Sequence, residues 1–218
     1  MRSIAMVAAL AWLPNLAAAE PDLNGGAWSV LNPPRALMTE DDKSPPLLES
    51  VQATWKPSGP QVAAPRTDVE RARRCLPPGL PRLLLQSAPF EFLQRPEQIV
   101  ILYQWNRLVR VVDMNIAQPE IVGPSYLGQS VGAWRGDTLR IETIGFNDAT
   151  VLDDTGLPHS DALKVVEEYS VRSANEIDLV VTIEDPKTFK TPWRAALRLA
   201  RDPQARIKED VCLERTGG

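Results

Sequence analysis

One histidine and two cysteines are a meagre supply of metal ligands for a chain of 218 residues. A single imidazole excludes multi-histidine centres, and two thiols exclude zinc ribbons and four-cysteine iron–sulfur sites. Basic runs are also missing. With 24 Lys+Arg against 28 Asp+Glu and a pI near 5.2, nothing favours non-specific binding to nucleic acid or an anionic membrane. After residue 19 no stretch is long and apolar enough to span a bilayer as a helix, so no membrane span is expected in the mature chain. No cofactor is implied. A hydrophobic content of 44% nevertheless suits a globular body rather than a disordered chain.

The first 19 residues, MRSIAMVAALAWLPNLAAA, read as a secretory leader. Arg2 supplies the positive start, Ile4 to Leu16 the short apolar stretch, and Ala17-Ala18-Ala19 the small-residue cleavage site, with cleavage after Ala19. The expected location is periplasmic or secreted. In an oxidising compartment, Cys75 and Cys212 read as one disulfide tying the start of the folded body to its end.

Proline divides what remains. Thirteen of the 20 prolines fall in residues 20–97 and six in residues 98–218. Proline cannot donate to a central ladder, so residues 20–97 read as a proline-rich extended arm packing on the body. A short helix is expected around Leu47–Trp55, a helical turn or two over Asp68–Arg74, and Trp28 and Trp55 as pins onto the body.

From residue 98 the apolar period becomes two. Strands are expected at Ile99–Tyr103, Leu108–Met114, Gln129–Trp134, Thr138–Thr143, Ala162–Arg172, Ile177–Glu184, Trp193–Leu199 and about Lys208–Glu214. Short turns join most of them, including Arg135-Gly136-Asp137 and Ala174-Asn175. The pattern predicts a mainly all-β protein: an antiparallel up-and-down meander over residues 98–218, closing into a roughly eight-stranded, lipocalin-like barrel. Arg140, Glu142, Arg194 and Arg198 on the outward faces argue against a lipid-facing barrel.

Two constellations could carry chemistry. Gly128-Gln129-Ser130-Val131-Gly132 matches G-x-S-x-G, and Asp153, Asp154 and His159 follow it in the order of a serine hydrolase triad. That motif needs a helix after the serine, whereas here the sequence runs on into a strand, so Ser130 is the weaker candidate nucleophile. The second is Gly145–Asp161, GFNDATVLDDTGLPHSD, which sets the lone imidazole among carboxylates. A neighbouring carboxylate orients one ring nitrogen and tunes the other for proton transfer. The bland reading of the same loop is turn and cap chemistry by Asn and Asp.

Several segments together resemble a set of secreted, largely uncharacterised bacterial proteins. The resemblance rests on GQSVGAWRGDTL, GFND, PHSD and DPKTFKTPW, with CLPPGLP from Cys75 to Pro81 upstream and Cys212 near the end. It spans about residues 46–214 and implies export and a β-rich fold. Where that pattern carries histidine after its first glycine, this chain has Gln129. Glutamine keeps hydrogen bonding but gives up proton transfer and metal ligation at that position.

The reading is thus an exported barrel that binds a small organic ligand, with no nucleic-acid partner. In a catalytic form His159, with Asp148 or Asp161, would perform cofactor-independent isomerase, lyase or hydratase chemistry. Gln129, Asn147, Tyr103 and Tyr126 would orient the ligand, with Trp134 and Phe146 as apolar walls. The alternatives are a non-catalytic lipocalin-like carrier or envelope interaction protein and, less favoured, a hydrolase acting through Ser130.

Overall fold

Alternation of apolar and polar side chains organises the molecule. The computed structural model describes residues 20–56, 74–120, 122–212 and 214. The expected leader, and the helical turns expected at 68–74 apart from Arg74, lie outside the described residues. Nine strands close into one barrel in sequence order. They are β1 (Ala27–Val30), β2 (Phe90–Gln94), β3 (Gln98–Tyr103), β4 (Val109–Met114) and β5 (Gln129–Arg135). After these come β6 (Thr138–Ile144), β7 (Lys164–Ser173), β8 (Glu176–Glu184) and β9 (Trp193–Asp202). A short helix, α1 (Glu49–Thr54), lies within the span expected for one.

The all-β barrel expected from the sequence is present and lipocalin-like in kind, but it has nine strands and one parallel pairing. Seven of the eight expected strands correspond to β3–β9. The eighth, about Lys208–Glu214, is not a strand; residues 205–211 leave the sheet and bring Cys212 to Cys75. β1 and β2 come instead from the proline-rich residues 20–97. Each is a proline-free window of four or five residues, too short for a period-two signal to stand out beside its prolines.

Inward faces carry the stability. On β8, Ile177, Leu179, Val181 and Ile183 are completely buried. Burying a side chain of this kind contributes ~1.5–3 kcal/mol. An aromatic stack fills the middle of the barrel: Phe92 meets Trp28, Phe90 and Tyr169 edge-on, with ring centroids 6.3, 5.5 and 5.8 Å apart. Trp28, expected as a pin for the arm, is therefore an interior residue of β1, while Trp55 packs half-buried against the core.

Two junctions in the barrel are thin. β1 pairs with β2 only through Trp28 and Phe90, and Asn24 and Gln94 bolster that seam with side-chain bonds to the opposing backbone. β4 and β5 pair in parallel over only Val112–Met114 and Ser130–Gly132. The parallel direction follows from residues 115–128, which cross back to the starting end of β4 instead of turning as a hairpin. Between β1 and α1 the chain runs beside β9, held by Glu40 N–H to the Arg194 carbonyl (2.9 Å) and Leu48 N–H to the Thr188 carbonyl (3.0 Å). The Cys75–Cys212 disulfide then fastens the segment before β2 to the tail after β9. Among the described residues no helix is long and apolar enough to cross a membrane.

Candidate functional site

Inside the barrel, β4 places Arg110 on the face it shares with Val112 and Met114. The guanidinium reaches across three neighbouring strands. Its Nε donates to Ser130 Oγ on β5 (3.0 Å), and its Nη2 to Thr143 Oγ1 on β6 (2.7 Å). It grips the Glu167 carboxylate on β7 with both terminal nitrogens, Nη1 to Oε1 at 3.1 Å and Nη2 to Oε2. Tyr169 adds a hydroxyl donated to Glu167 Oε1 (2.7 Å). All of these side chains are buried. Burial alone would disfavour the Arg110 charge, but Glu167, with help from Tyr103 and Tyr169, outweighs it and raises the Arg110 pKa. The Tyr103 hydroxyl has no hydrogen-bond partner among the described residues, and burial pushes its pKa up to about 12.

The histidine loop lies between β6 and β7. His159 is 7% exposed, with Phe146 edge-on at 6.4 Å. Its Nδ1 contacts the Ser160 carbonyl (2.9 Å), which can only accept, so Nδ1 carries the proton. Nε2 then accepts from the Thr150 hydroxyl (2.7 Å). Both ring nitrogens are therefore engaged. Thr150 in turn packs on Gly79, whose φ is +80°; a Cβ there would come within 2.5 Å of Thr150 Oγ1. Ser160 is fixed by buried Asp185, which accepts from its N–H (2.6 Å), its hydroxyl (2.8 Å) and the Thr188 hydroxyl (2.7 Å). The CLPPGLP, PHSD and DPKTF segments thus interlock through Gly79, Thr150, His159, Ser160 and Asp185, and GFND joins them through Phe146 on His159.

Desolvation is the main influence on His159 and lowers its pKa, against weaker opposition from the Ser160 carbonyl and then Asp185 and Asp148. A lowered folded-state pKa means that the unfolded chain takes up the proton first as pH falls. The stability tied to the neutral ring is complete above the unfolded value near 6.5 and declines as pH drops from there towards the folded value. His159→Gln should therefore flatten the stability curve between about pH 7.5 and about pH 5.5 in urea titrations. A slope equal to that of the parent would show that His159 is not the group responsible.

A third feature is an opening in the barrel wall. Because the β4–β5 ladder stops at Val112 and Ser130, Val109–Val111 have no partner on β5. A cavity of about 300 Å³ occupies the gap, walled by β4, residues 127–130 and, from the crossover, Pro119, Glu120 and Val122. Arg110 and Ser130 stand at its inner end, and Gln129 lines it. Gln129 Nε2 donates to the Gly123 carbonyl (3.2 Å), which fixes the amide orientation; its Oε1 is buried with no partner among the described residues. A buried acceptor left unmatched costs ~1–3 kcal/mol. At the turn entering β5, Gly128 has φ +65°, and a Cβ there would meet the Ile144 carbonyl at 2.6 Å.

The residues expected to form one site fall into separate groups. His159 and Phe146 are in contact, and Asn147 and Asp148 follow on the same loop. Asn147 Oδ1 accepts from Ala149 N–H (3.1 Å), a local turn contact. Asp148 is exposed, and exposed Asp161 pairs with Lys187 Nζ at 2.6 Å, so the imidazole's two hydrogen bonds go to neither. Gln129 belongs to the seam, with half-buried Tyr126 just before it in the chain. Tyr103 lies in the interior near Arg110, and half-buried Trp134 packs against the core. Ser130 Oγ bonds Arg110 and lies 3.0 Å from Thr143 Oγ1, with no imidazole bond to activate it.

Sequence reasoning missed Arg110, Thr150 and Asp185. The parity of β4 held a signal, since Arg110 stands two residues before Val112 on the inward face. Glu167 was visible on the apolar face of its strand, but its partner was not. Compared with known proteins, the chain matches no family model and no curated sequence.

Proposed function

We propose that this protein is an exported barrel that binds a small organic molecule at the β4/β5 seam and carries or senses it without turnover. The observation that supports this most directly is the cavity where the β4–β5 ladder stops. Its volume lies at the lower end of that found for organic-ligand sites, and its lining is mixed, with Val109, Val111, Val122 and Leu127 beside Arg110, Asp113, Glu120 and Gln129. The barrel interior is filled by the aromatic stack and the Arg110–Glu167 pair, which favours the seam over the lumen as the seat of a ligand. The occupied ring nitrogens of His159 favour a bracing role over proton transfer. Export rests on the leader-like first 19 residues, the disulfide and the resemblance to secreted bacterial proteins.

Native mass spectrometry of protein purified from its own compartment should show a small adduct. Val111→Arg, which fills the seam from a 44% exposed position, should abolish the adduct, whereas His159→Gln should retain it. An adduct that survives Val111→Arg would place the site elsewhere.

A further inference from the structure

A strand edge lies open on the outer wall, away from the seam. Leu31 N–H donates to the Arg198 carbonyl (2.8 Å) and Glu40 N–H to the Arg194 carbonyl (2.9 Å), so β9 turns these backbone groups away from β8. Backbone groups alternate sides along a strand, so the N–H and C=O of Ala196, midway between, face the same way. Between those two anchors residues 32–39 swing off β9 to the histidine loop. There Leu37 N–H meets Asp153 Oδ2 (2.9 Å), and the Arg35 carbonyl accepts from Asp154 N–H (2.9 Å). Among the described residues nothing pairs with the Ala196 N–H or C=O. A groove of about 700 Å³ opens at this point and a cavity of about 190 Å³ lies beside it; Ala196 lines both.

We propose that this edge binds an extended acidic segment of a partner protein, which adds to β9 as a short strand with a carboxylate side chain opposite Ala196. The backbone carries the first half of the argument. An unpaired strand edge is a template for an added strand, whose main-chain hydrogen bonds supply affinity and whose alternate side chains supply specificity. Here the open stretch is bounded by the bonds of Leu31 and Glu40, so it takes only a few residues and does not extend into open-ended sheet growth.

Charge carries the second half. The charged residues lining the groove are Arg172, Arg198 and Asp178, two cations against one carboxylate. Both arginines approach Asp178 through Nε, at 2.7 and 3.4 Å, and their terminal nitrogens make no hydrogen bond among the described residues. Those guanidinium forks can receive a second carboxylate. Ala196 and Arg198 share the outward, exposed face of β9. A side chain opposite Ala196 lies diagonally from Arg198, within reach of a long pair, and alanine leaves the space beside it clear. A basic side chain there is repelled.

Amide NMR of the mature chain, titrated with the blocked peptide acetyl-Thr-Val-Glu-Val-Thr-amide, tests the assignment. The Ala196 and Arg198 amides should shift saturably. The same peptide with lysine at its centre should bind about tenfold or more weakly, as should the glutamate peptide methylated on its central backbone nitrogen, which removes the donor to the Ala196 carbonyl. Arg172→Ala with Arg198→Ala should erase the preference for glutamate over lysine while Ala196 still shifts, and Val111→Arg at the seam should leave binding unchanged. Equal binding of the glutamate and lysine peptides to the parent would overturn the acidic assignment. Shifts that acetate alone reproduces would reduce the site to an anion contact and overturn the strand addition. No saturable shift at Ala196 and Arg198 with peptide in the millimolar range would overturn the proposal outright. If those amides respond instead to protein concentration, a second copy takes the edge and the partner assignment falls.

Discussion

Glu167→Leu should destabilise the protein by ~3–5 kcal/mol, because it strips the counter-ion from an arginine that stays buried. Arg110 is 3% exposed and Glu167 completely buried, so water cannot take the place of the lost carboxylate. The substitution also deprives Tyr169 of its acceptor. Removing both charges together is a different matter. Arg110→Met with Glu167→Leu leaves no unpaired ion, and it should recover most of the loss, since well-packed apolar replacements of buried pairs are often neutral. Ser130 and Thr143 remain as each other's partners in that variant, 3.0 Å apart. Urea denaturation of the parent, the single variant and the double variant reads the cycle. A single variant costing under ~1 kcal/mol would mean that solvent reaches the pair.

The second large effect belongs to the disulfide. Cys75 and Cys212 are 137 residues apart in sequence, so the bridge closes nearly the whole barrel into one loop. The chain-entropy account assigns such a closure ~5 kcal/mol, a figure that native strain and residual structure in the unfolded chain tend to reduce. Cys75→Ser with Cys212→Ser should lower the denaturation midpoint accordingly, and reductant should do the same to the parent. The first local consequence should appear at the histidine loop. Cys75 leads into Leu76–Pro81, whose Gly79 packs on Thr150, the residue that bonds His159. Unchanged stability on reduction would show that the bridge does not restrain the unfolded chain.

Parity made much of this fold legible in advance. Strands β6, β8 and β9 announce themselves because apolar and polar residues alternate over seven or more positions, long enough for a period of two to register, whereas β3 shows as the continuous apolar run Ile99–Tyr103. β1 has four residues, and its tryptophan looked like an anchor for an arm rather than an interior side chain. The opposite error arose at Lys208–Glu214, where a short alternating stretch has no neighbouring strand to pair with. The site was less legible than the fold. His159 stood out by rarity, but rarity says nothing of whether its nitrogens are occupied, and the two bonds that occupy them come from Thr150 and the Ser160 backbone. The Arg110–Glu167 pair joins strands 57 residues apart in the chain, a distance at which periodicity carries no pairing information. The seam is subtler still. It exists because a ladder ends early, and ladder length depends on register rather than composition.

The most direct test of the account is hydrogen exchange on the protein as purified and after its bound molecule has been stripped on a hydrophobic resin. Seam binding predicts that stripping accelerates exchange at residues 109–111 and 127–130, where β4 lacks a β5 partner, while β7–β9 exchange as before. Faster exchange confined to residues 145–161, or to the groove between Leu31 and Arg198 on the outer wall, would contradict it.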